Sequence, residues 1–232
     1  MKKFVVVFVL LVSFYGVAQD NAALTKHYKA FYKEMKLQGD INGVINALTH
    51  LNILDPSQQR RDTLAFVYMN NNQHVQALNT VGIEENPGDS DLALQVKAFS
   101  LQAINQPQRS IKHFQLLFNR KKDPYLAYEM ADLKIQTGDT AGATTDIEFG
   151  IANATNDMKY AFYERQQPYE VSLKAAFLHM KGLAIFNQDK TKIDEAIALM
   201  DQALQIEPNF NLASLSKQAL ESRKTEGTTE EN

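Results

Sequence analysis

Residues Leu37–Pro56 read LQGDINGVINALTHLNILDP, which is the pattern of a turn followed by a helix. Gly39 suits the end of a preceding helix, because glycine adopts the left-handed conformation that closes a helix at little cost. Asp40 is a favourable N-cap residue for the next helix, and Asp55-Pro56 predicts its end. The stretch therefore indicates the turn and the second helix, Ile41–Leu54, of a helix–turn–helix unit.

The pattern of this stretch returns along the chain at intervals of 33 residues. The interval is kept by a small or apolar residue in the second helix, by a Gly or Asn five residues before it, and by an apolar residue four residues after it. These positions hold Val44, Ala77, Ser110 and Ala143; Gly39, Asn72, Asn105 and Gly138; and Leu48, Val81, Phe114 and Ile147. A fourth position, in the first helix, holds Tyr32, Ala65, Ala98 and Ala131. Such helix pairs cannot bury their apolar faces alone, so the period predicts an all-α solenoid of stacked pairs.

The period breaks after Ile151, because the next residue in register, Ala196, lies 53 positions beyond Ala143. This distance is one repeat plus twenty residues. We predict a short extra helix within the insertion, residues 153–168, because four of its side chains fall on one helical face. These side chains are Met158, Ala161, Phe162 and Arg165.

The C-terminal part returns to the repeat pattern. A long helix is predicted over Tyr169–Asn187, and either Gly182 or Ala184 corresponds to the small residue in the first helix of the other units. The last helix, Asn209–Lys224, has a polar outer face, as the closing helix of a solenoid requires. Residues 225–232 are polar and acidic and predict a disordered tail.

The N-terminus has the layout of a secretory signal peptide, residues 1–18. A short basic start precedes twelve mostly apolar residues, Phe4–Tyr15, and small residues lead to the expected cleavage site after Ala18. A membrane anchor is the alternative, although twelve apolar residues are fewer than the ~20 that a spanning helix needs. Cleavage would leave a solenoid of about five repeats at residues 19–224. It would lie in the periplasm or outside the cell, without stable membrane insertion.

The composition argues against several classes of function. Without the two lysines of the signal segment, 22 of the 24 basic residues remain against 27 acidic ones, so the formal charge falls from −3 to −5 and disfavours nucleic-acid binding. The absence of cysteine excludes a thiol nucleophile and a lipid anchor on an N-terminal cysteine. The five histidines show no paired spacing, and no catalytic or nucleotide-binding motif is present. We therefore expect no enzymatic activity, no metal and no cofactor.

The units resemble the tetratricopeptide repeat (TPR), a helix–turn–helix of about 34 residues. The residues that carry the resemblance are Val44, Leu48, Leu51 and Pro56; Ala65, Tyr68 and Ala77; Ala98, Ser110, Phe114 and Leu117; Ala131, Ala143, Ile147 and Gly150; and Ala196, Met200, Ala203 and Pro208. The resemblance implies a right-handed TPR-like α-solenoid with a C-terminal capping helix, in a secreted bacterial protein that binds other proteins. Ankyrin repeats share the period but have a TPLH turn that is absent here, and Sel1-like repeats are the nearest alternative.

The first helix carries a row of lysines at helical spacing on one side. They are Lys26, Lys29, Lys33 and Lys36. In the family, the helix positions that these residues occupy line the concave groove, so the resemblance implies a basic end of a groove that receives carboxylates. The simpler interpretation, a solvated face of a terminal helix, stays open.

The equivalent positions of the later units hold aromatic, methionine and polar side chains. They are Asp62, Phe66 and Met69; Gln95, Phe99 and Gln102; and Tyr125, Tyr128 and Asp132. Aromatic and methionine side chains are common anchors of protein-binding surfaces. We hypothesise a groove, basic at its N-terminal end and aromatic in the middle, that holds an extended peptide with an acidic segment. The alternative is that Phe66 and Phe99 belong to the core.

The insertion adds further aromatic side chains, Tyr160, Phe162, Tyr163 and Tyr169. These side chains either pack a linker onto the solenoid or form a lid or second partner surface. The function that follows is a non-enzymatic scaffold for protein–protein contacts in the cell envelope. The alternatives are capture of a small ligand or glycan by the aromatic groove and a role as accessory subunit of an envelope enzyme.

Overall fold

The computed structural model describes the backbone of residues 21–230 and the side chains of residues 21–226. The signal peptide predicted at residues 1–18 lies outside the described residues. The chain divides into two compact units, Met1–Gln106 and Pro107–Asn232. The first unit and the second unit are called the N-terminal unit and the C-terminal unit below.

The described part of the N-terminal unit contains helices joined by turns and loops, and no strand. Its helices are α1 (residues 21–38), α2 (Ile41–Leu54), α3 (Gln58–Asn70), α4 (His74–Val81) and α5 (Asp91–Ala103). Helix α2 packs against α3, and α3 packs against α4 and α5. Local caps fix where these helices begin: the Asp40 carboxylate accepts a hydrogen bond from Gly43 N at 2.9 Å, and the Ser90 hydroxyl accepts one from Ala93 N at 3.0 Å.

The C-terminal unit contains helices and one two-stranded sheet. The elements are α6 (Pro107–Arg120), α7 (Pro124–Gln136), α8 (Thr140–Asn153), β1 (Lys159–Phe162), β2 (Tyr169–Ser172), α9 (Leu173–Gln188), α10 (Ile193–Ile206) and α11 (Asn211–Glu230). Each helix packs against the next one along the chain. Strands β1 and β2 pair antiparallel between α8 and α9, with Tyr160 opposite Val171 and Phe162 opposite Tyr169.

The turns confirm the 33-residue period. Gly39, Asn72, Asn105 and Gly138 have φ angles of 71°, 58°, 58° and 82°. Only residues that tolerate the left-handed region, above all Gly and Asn, take these angles at low cost. The same backbone turn therefore joins the two helices of each of the first four pairs.

Small residues stand at buried positions in both helices of a pair. Ala65, Ala98 and Ala131 in the first helices and Ala77, Ser110 and Ala143 in the second helices are all fully buried. In the fifth pair the corresponding residue is Gly182, because a Cβ there would lie 3.1 Å from the carbonyl oxygen of Ala196. The open choice between Gly182 and Ala184 is thus resolved, and the two extra residues of this repeat fall in the turn around the 3₁₀ segment Lys190–Lys192.

The extra helix predicted within residues 153–168 is wrong, and a β-hairpin stands there instead. The helical spacing of Met158 and Phe162 is overridden by strand pairing and by hydrogen bonds to distant parts of the chain. Lys159 N donates to the Tyr125 hydroxyl at 3.1 Å, and Ser172 N donates to the Glu207 carboxylate at 3.1 Å. The long helix consequently begins at Leu173 instead of Tyr169.

The closing helix extends beyond its predicted end. Helix α11 begins at Asn211 and continues to Glu230, so residues 225–230 are helical and the predicted disordered tail is corrected there. Lys224 Nζ lies 2.5 Å from a carboxylate oxygen of Asp194, which ties this end of α11 to α10. A polar sequence alone does not end a helix whose preceding turns are packed, because each residue added to an existing helix gains one backbone hydrogen bond.

Candidate functional site

The four lysines of α1 form an exposed basic row. Lys26, Lys29, Lys33 and Lys36 are all exposed, and none of them forms an ion pair with a residue of the described range. The acid in the same helix is Glu34, whose carboxylate accepts a hydrogen bond from Gln38 at 2.8 Å. The row therefore presents four cations to solvent on one helix.

Two phenylalanines occupy the repeat positions equivalent to Lys33. Phe66 on α3 and Phe99 on α5 are half-buried, and both pack against the same core cluster of Ala65, Met69, Ala77 and Val96. Part of each ring contacts the core and part remains accessible. Each phenylalanine therefore belongs both to the core and to the accessible surface, the two interpretations that the sequence leaves open. Partial exposure of rigid aromatic rings is typical of protein-binding surfaces.

Two residues expected at the groove on α3 are buried instead. Met69 is 8% exposed within the core cluster, so it does not contribute to an accessible surface. The carboxylate of Asp62 accepts hydrogen bonds from Gln58 at 2.7 Å and from the Ser90 hydroxyl at 2.7 Å. Asp62 thus joins the start of α3 to the start of α5 and has a structural role.

In the C-terminal unit the hairpin covers the tyrosines that were expected to line the groove. Tyr128 is 7% exposed and its ring lies 4.2 Å from the ring of Tyr160 and 5.2 Å from that of Phe177. Tyr125 is 37% exposed, and its hydroxyl accepts the hydrogen bond from Lys159 N. The prediction that Tyr128 lines an open groove is therefore wrong, since strand β1 occupies that space.

The hairpin is also fixed on the side of α10 and α11. Lys159 Nζ lies 3.2 Å from a carboxylate oxygen of Glu207, and the Phe162 ring lies 5.1 Å from the ring of Phe210. At the other end of the hairpin, the Tyr169 hydroxyl donates to the Glu164 carboxylate at 2.5 Å. The aromatic residues of the insertion thus pack the hairpin onto the unit, except Tyr163, which is 74% exposed.

The covered face changes the acidity of its polar groups. Burial raises the pKa of Tyr128, and nearby Asp132 and Glu129 raise it further. Burial also raises the pKa of Tyr160, whose hydroxyl donates to the Glu129 carboxylate at 2.9 Å. Burial raises the pKa of Asp132 as well, although the hydrogen bond from Gln136 opposes this shift. The common cause of these shifts is the desolvation of the side chains between hairpin and helices.

His179 on α9 stands at the position equivalent to Tyr128 and is buried. Its ring lies 5.2 Å from the Phe210 ring, and its Nε2 lies 3.0 Å from the Ser216 hydroxyl. Burial lowers the pKa of His179 from 6.5 to about 4, and the charge of Glu164 opposes this shift only in part. The histidine is therefore neutral in the folded protein at neutral pH.

The stability of the protein should fall in mild acid because of His179. Its folded pKa lies below its unfolded pKa of 6.5, so the contribution of the neutral ring is present above pH 6.5 and is lost as the pH falls towards 4. We expect a loss of about 3 kcal/mol between pH 7 and pH 4 from this group. Urea denaturation of the wild type and of His179→Gln at both pH values measures it.

The difference in free energy of unfolding between wild type and His179→Gln isolates the contribution of the histidine, because the carboxylates titrate in both proteins. We expect the stability of His179→Gln relative to wild type to rise by about 3 kcal/mol on going from pH 7 to pH 4. His27→Gln, at an exposed position of α1, is the matched control. A relative stability that does not change with pH would contradict the burial of a neutral imidazole.

Within residues 21–226, no group of three His, Asp or Glu side chains is placed to hold a metal ion. No helix of the described part of the chain is long and apolar enough to cross a membrane.

The chain is similar to solved structures, although no family model matches it and no curated protein does so. The crystal structure of MamA protein is 18% identical, with 79% of this chain and 92% of that chain covered and a TM-score of 0.63. YrrB, described as a TPR protein with an unusual peptide-binding site, is 14% identical, with coverages of 82% and 90% and a TM-score of 0.63. At these identities the likeness shows the fold, which is the TPR solenoid that the repeat positions predict.

Proposed function

We propose that this chain is a non-enzymatic scaffold for protein–protein contacts in the cell envelope, and that its N-terminal unit binds an extended peptide with an acidic segment. The exposed lysine row of α1 carries the proposal, together with Phe66 and Phe99 on the next two first helices. Because both phenylalanines are equivalents of Lys33, a peptide lying across α1, α3 and α5 would meet a cation and then two aromatic rings.

Charge and aromatic surface have different parts in this proposal. An exposed ion pair contributes only ~0–1 kcal/mol, so the lysines steer and orient the acidic segment. The accessible parts of Phe66 and Phe99 supply apolar area that a peptide side chain buries. Peptide binding by a TPR protein has a parallel in YrrB, which is described as having a peptide-binding site.

The envelope location is supported by the pattern of the first eighteen residues alone. A basic start, an apolar run and small residues before position 19 are typical of a cleavable signal. Mass spectrometry of the protein from its native cells is expected to find Gln19 as the first residue. An intact N-terminus at Met1 would contradict the location.

Charge reversal in the lysine row tests the peptide proposal. The probe is a short fluorescein-labelled peptide rich in glutamate and phenylalanine, and its affinity is measured by fluorescence anisotropy. We expect Lys29→Glu/Lys33→Glu to weaken binding at least tenfold, because two attractions become repulsions and 1.4 kcal/mol is a factor of ten. We also expect the affinity of the wild type to fall as salt is raised.

The control is Lys121→Glu/Lys122→Glu, which makes the same change of charge at two exposed lysines before α7, with circular dichroism to verify that loss of the 3.1 Å Lys121–Asp123 ion pair leaves the fold intact. This variant is expected to bind the probe like wild type. Equal weakening by both double variants would show a general charge effect and remove the proposed site. Glycan binding that is insensitive to salt would instead favour the capture function, although the burial of Tyr128 leaves less aromatic surface for it.

A further inference from the structure

Strand β1 is held by the C-terminal unit in the way that a protein holds an extended peptide. Its alternate side chains Tyr160 and Phe162 lie on one side, where the Tyr160 ring packs against the Tyr128 ring at 4.2 Å and the Phe162 ring against the Phe210 ring at 5.1 Å. Its backbone pairs with β2 on one edge, and Lys159 N donates to the Tyr125 hydroxyl on the other. Main-chain pairing with alternate side-chain pockets is the pattern of strand addition.

The two strands are attached to the unit differently. Strand β2 runs directly into α9, and its last residues Val171 and Ser172 are 1% and 4% exposed. Strand β1 is flanked by two exposed segments, residues 155–157 and 163–168. Strand β2 is therefore a fixed part of the unit, whereas β1 can leave without moving a helix.

A strand pair of this length has little stability of its own. Each strand has 4 residues, and an isolated two-stranded hairpin is marginally stable at best in water. The position of β1 therefore depends on its contacts with Tyr125, Tyr128, Glu207, Phe210 and the edge of β2. Elements of this kind open locally at a lower free energy than the packed helices around them.

We propose that β2, Tyr128 and Phe210 form a strand-accepting site that β1 occupies in the resting chain. The ligand of this site is an extended segment of a partner protein, with aromatic residues at alternate positions, which pairs antiparallel with β2 in place of β1. The site lies in the C-terminal unit and does not involve the lysine row, so it stands independently of the proposed acidic-peptide site.

Weakening the internal strand tests the site in the full chain. The probe is a fluorescein-labelled synthetic peptide with the sequence of residues 157–164, DMKYAFYE. We expect Tyr160→Ser/Phe162→Ser to bind this peptide at least tenfold more tightly than wild type does, because β1 no longer competes. Tyr163→Ser, at the exposed tip of the hairpin, is the matched control and should bind like wild type.

A second peptide, and circular dichroism of the double variant, make the result decisive. A peptide with the two aromatics at adjacent instead of alternate positions is expected to lose binding, since only one of its rings can then face Tyr128 and Phe210 in any register. Equal binding of both peptides, or no binding to a double variant whose circular dichroism is that of the wild type, would overturn the proposal. Binding of the acidic probe to the lysine row stays unchanged in either case.

Hydrogen exchange on the unmodified protein tests the detachment of β1 directly. The amides that join β1 and β2 are expected to exchange at least tenfold faster than the interior amides of α7 and α9. Exchange of these amides only together with α7 and α9 would show that β1 is a permanent part of the unit, and would overturn the proposal without any variant.

Discussion

Replacing Lys97 by methionine is expected to lower the free energy of unfolding by about 3–5 kcal/mol. Lys97 Nζ lies 2.5 Å from a carboxylate oxygen of Asp89 and donates to the carbonyl oxygen of Glu84 at 2.9 Å. The side chains of Lys97 and Asp89 are only 2% and 8% exposed. Methionine keeps the volume but removes the cation that lies 2.5 Å from this buried carboxylate, and the lost attraction is the larger effect. Urea denaturation followed by circular dichroism measures the change.

A solvent-exposed ion pair of the same protein provides the control. Lys181 Nζ lies 3.7 Å from the Glu148 carboxylate, with side-chain exposures of 30% and 61%. Lys181→Met is expected to cost less than about 1 kcal/mol, because water screens this pair. The double variant Lys97→Met/Asp89→Asn should recover part of the stability, since it also removes the buried negative charge. A cost for Lys97→Met no larger than that for Lys181→Met would contradict the role of the buried pair.

Replacing Phe177 by alanine is the second change with a large expected effect, about 3–5 kcal/mol. Phe177 on α9 is fully buried, and its ring meets that of Tyr128 edge to face at 5.2 Å. Its Cζ reaches the site where a Cβ on Gly150 of α8 would stand, only 2.0 Å away. Alanine would therefore empty the space between α7, α8 and α9. Urea denaturation measures this loss, and Tyr163→Ala at an exposed site is the control.

The contact between Phe177 and Gly150 can be tested by the direction in which Gly150→Ala changes the stability. An alanine in place of glycine within a helix ordinarily stabilises by about 1 kcal/mol. In the wild type we expect Gly150→Ala to destabilise by about 1–3 kcal/mol, because its methyl group collides with the Phe177 ring. In the Phe177→Ala variant the same change should stabilise the protein. The same sign in both backgrounds would show that the two residues do not compete for one space.

The features of the fold that depend on local chemistry could be predicted from the sequence. The bounds of α2 follow from Asp40 at one end and Asp55-Pro56 at the other, and both signals act within a few residues. The left-handed turns follow from Gly or Asn at a fixed interval, because few other residues accept that backbone conformation. Neither prediction required knowledge of what packs against the helix.

The features that depend on distant residues could not be predicted in this way. Met69 has the register of a groove residue, yet it is buried because its neighbours in the core cluster come from α3, α4 and α5. Lys97 gives no local sign of burial, since its partner Asp89 lies in the preceding loop. The hairpin depends on Tyr125 and Glu207, which are 34 and 48 residues from Lys159. The alternation of aromatic residues at Tyr160 and Phe162 is a local sequence signal for strand β1.

The hairpin also alters how the C-terminal unit loses its structure. Repeats of a solenoid ordinarily interact only with their nearest neighbours, so such arrays unfold as a one-dimensional chain of coupled units that can fray from an end. The hairpin joins Tyr125 and Tyr128 on α7 to Glu207 and Phe210 before α11, with α8, α9 and α10 between them in sequence. This second-neighbour coupling lasts while β1 is in place, so we expect displacement of β1 to let α7 and α11 unfold independently of each other.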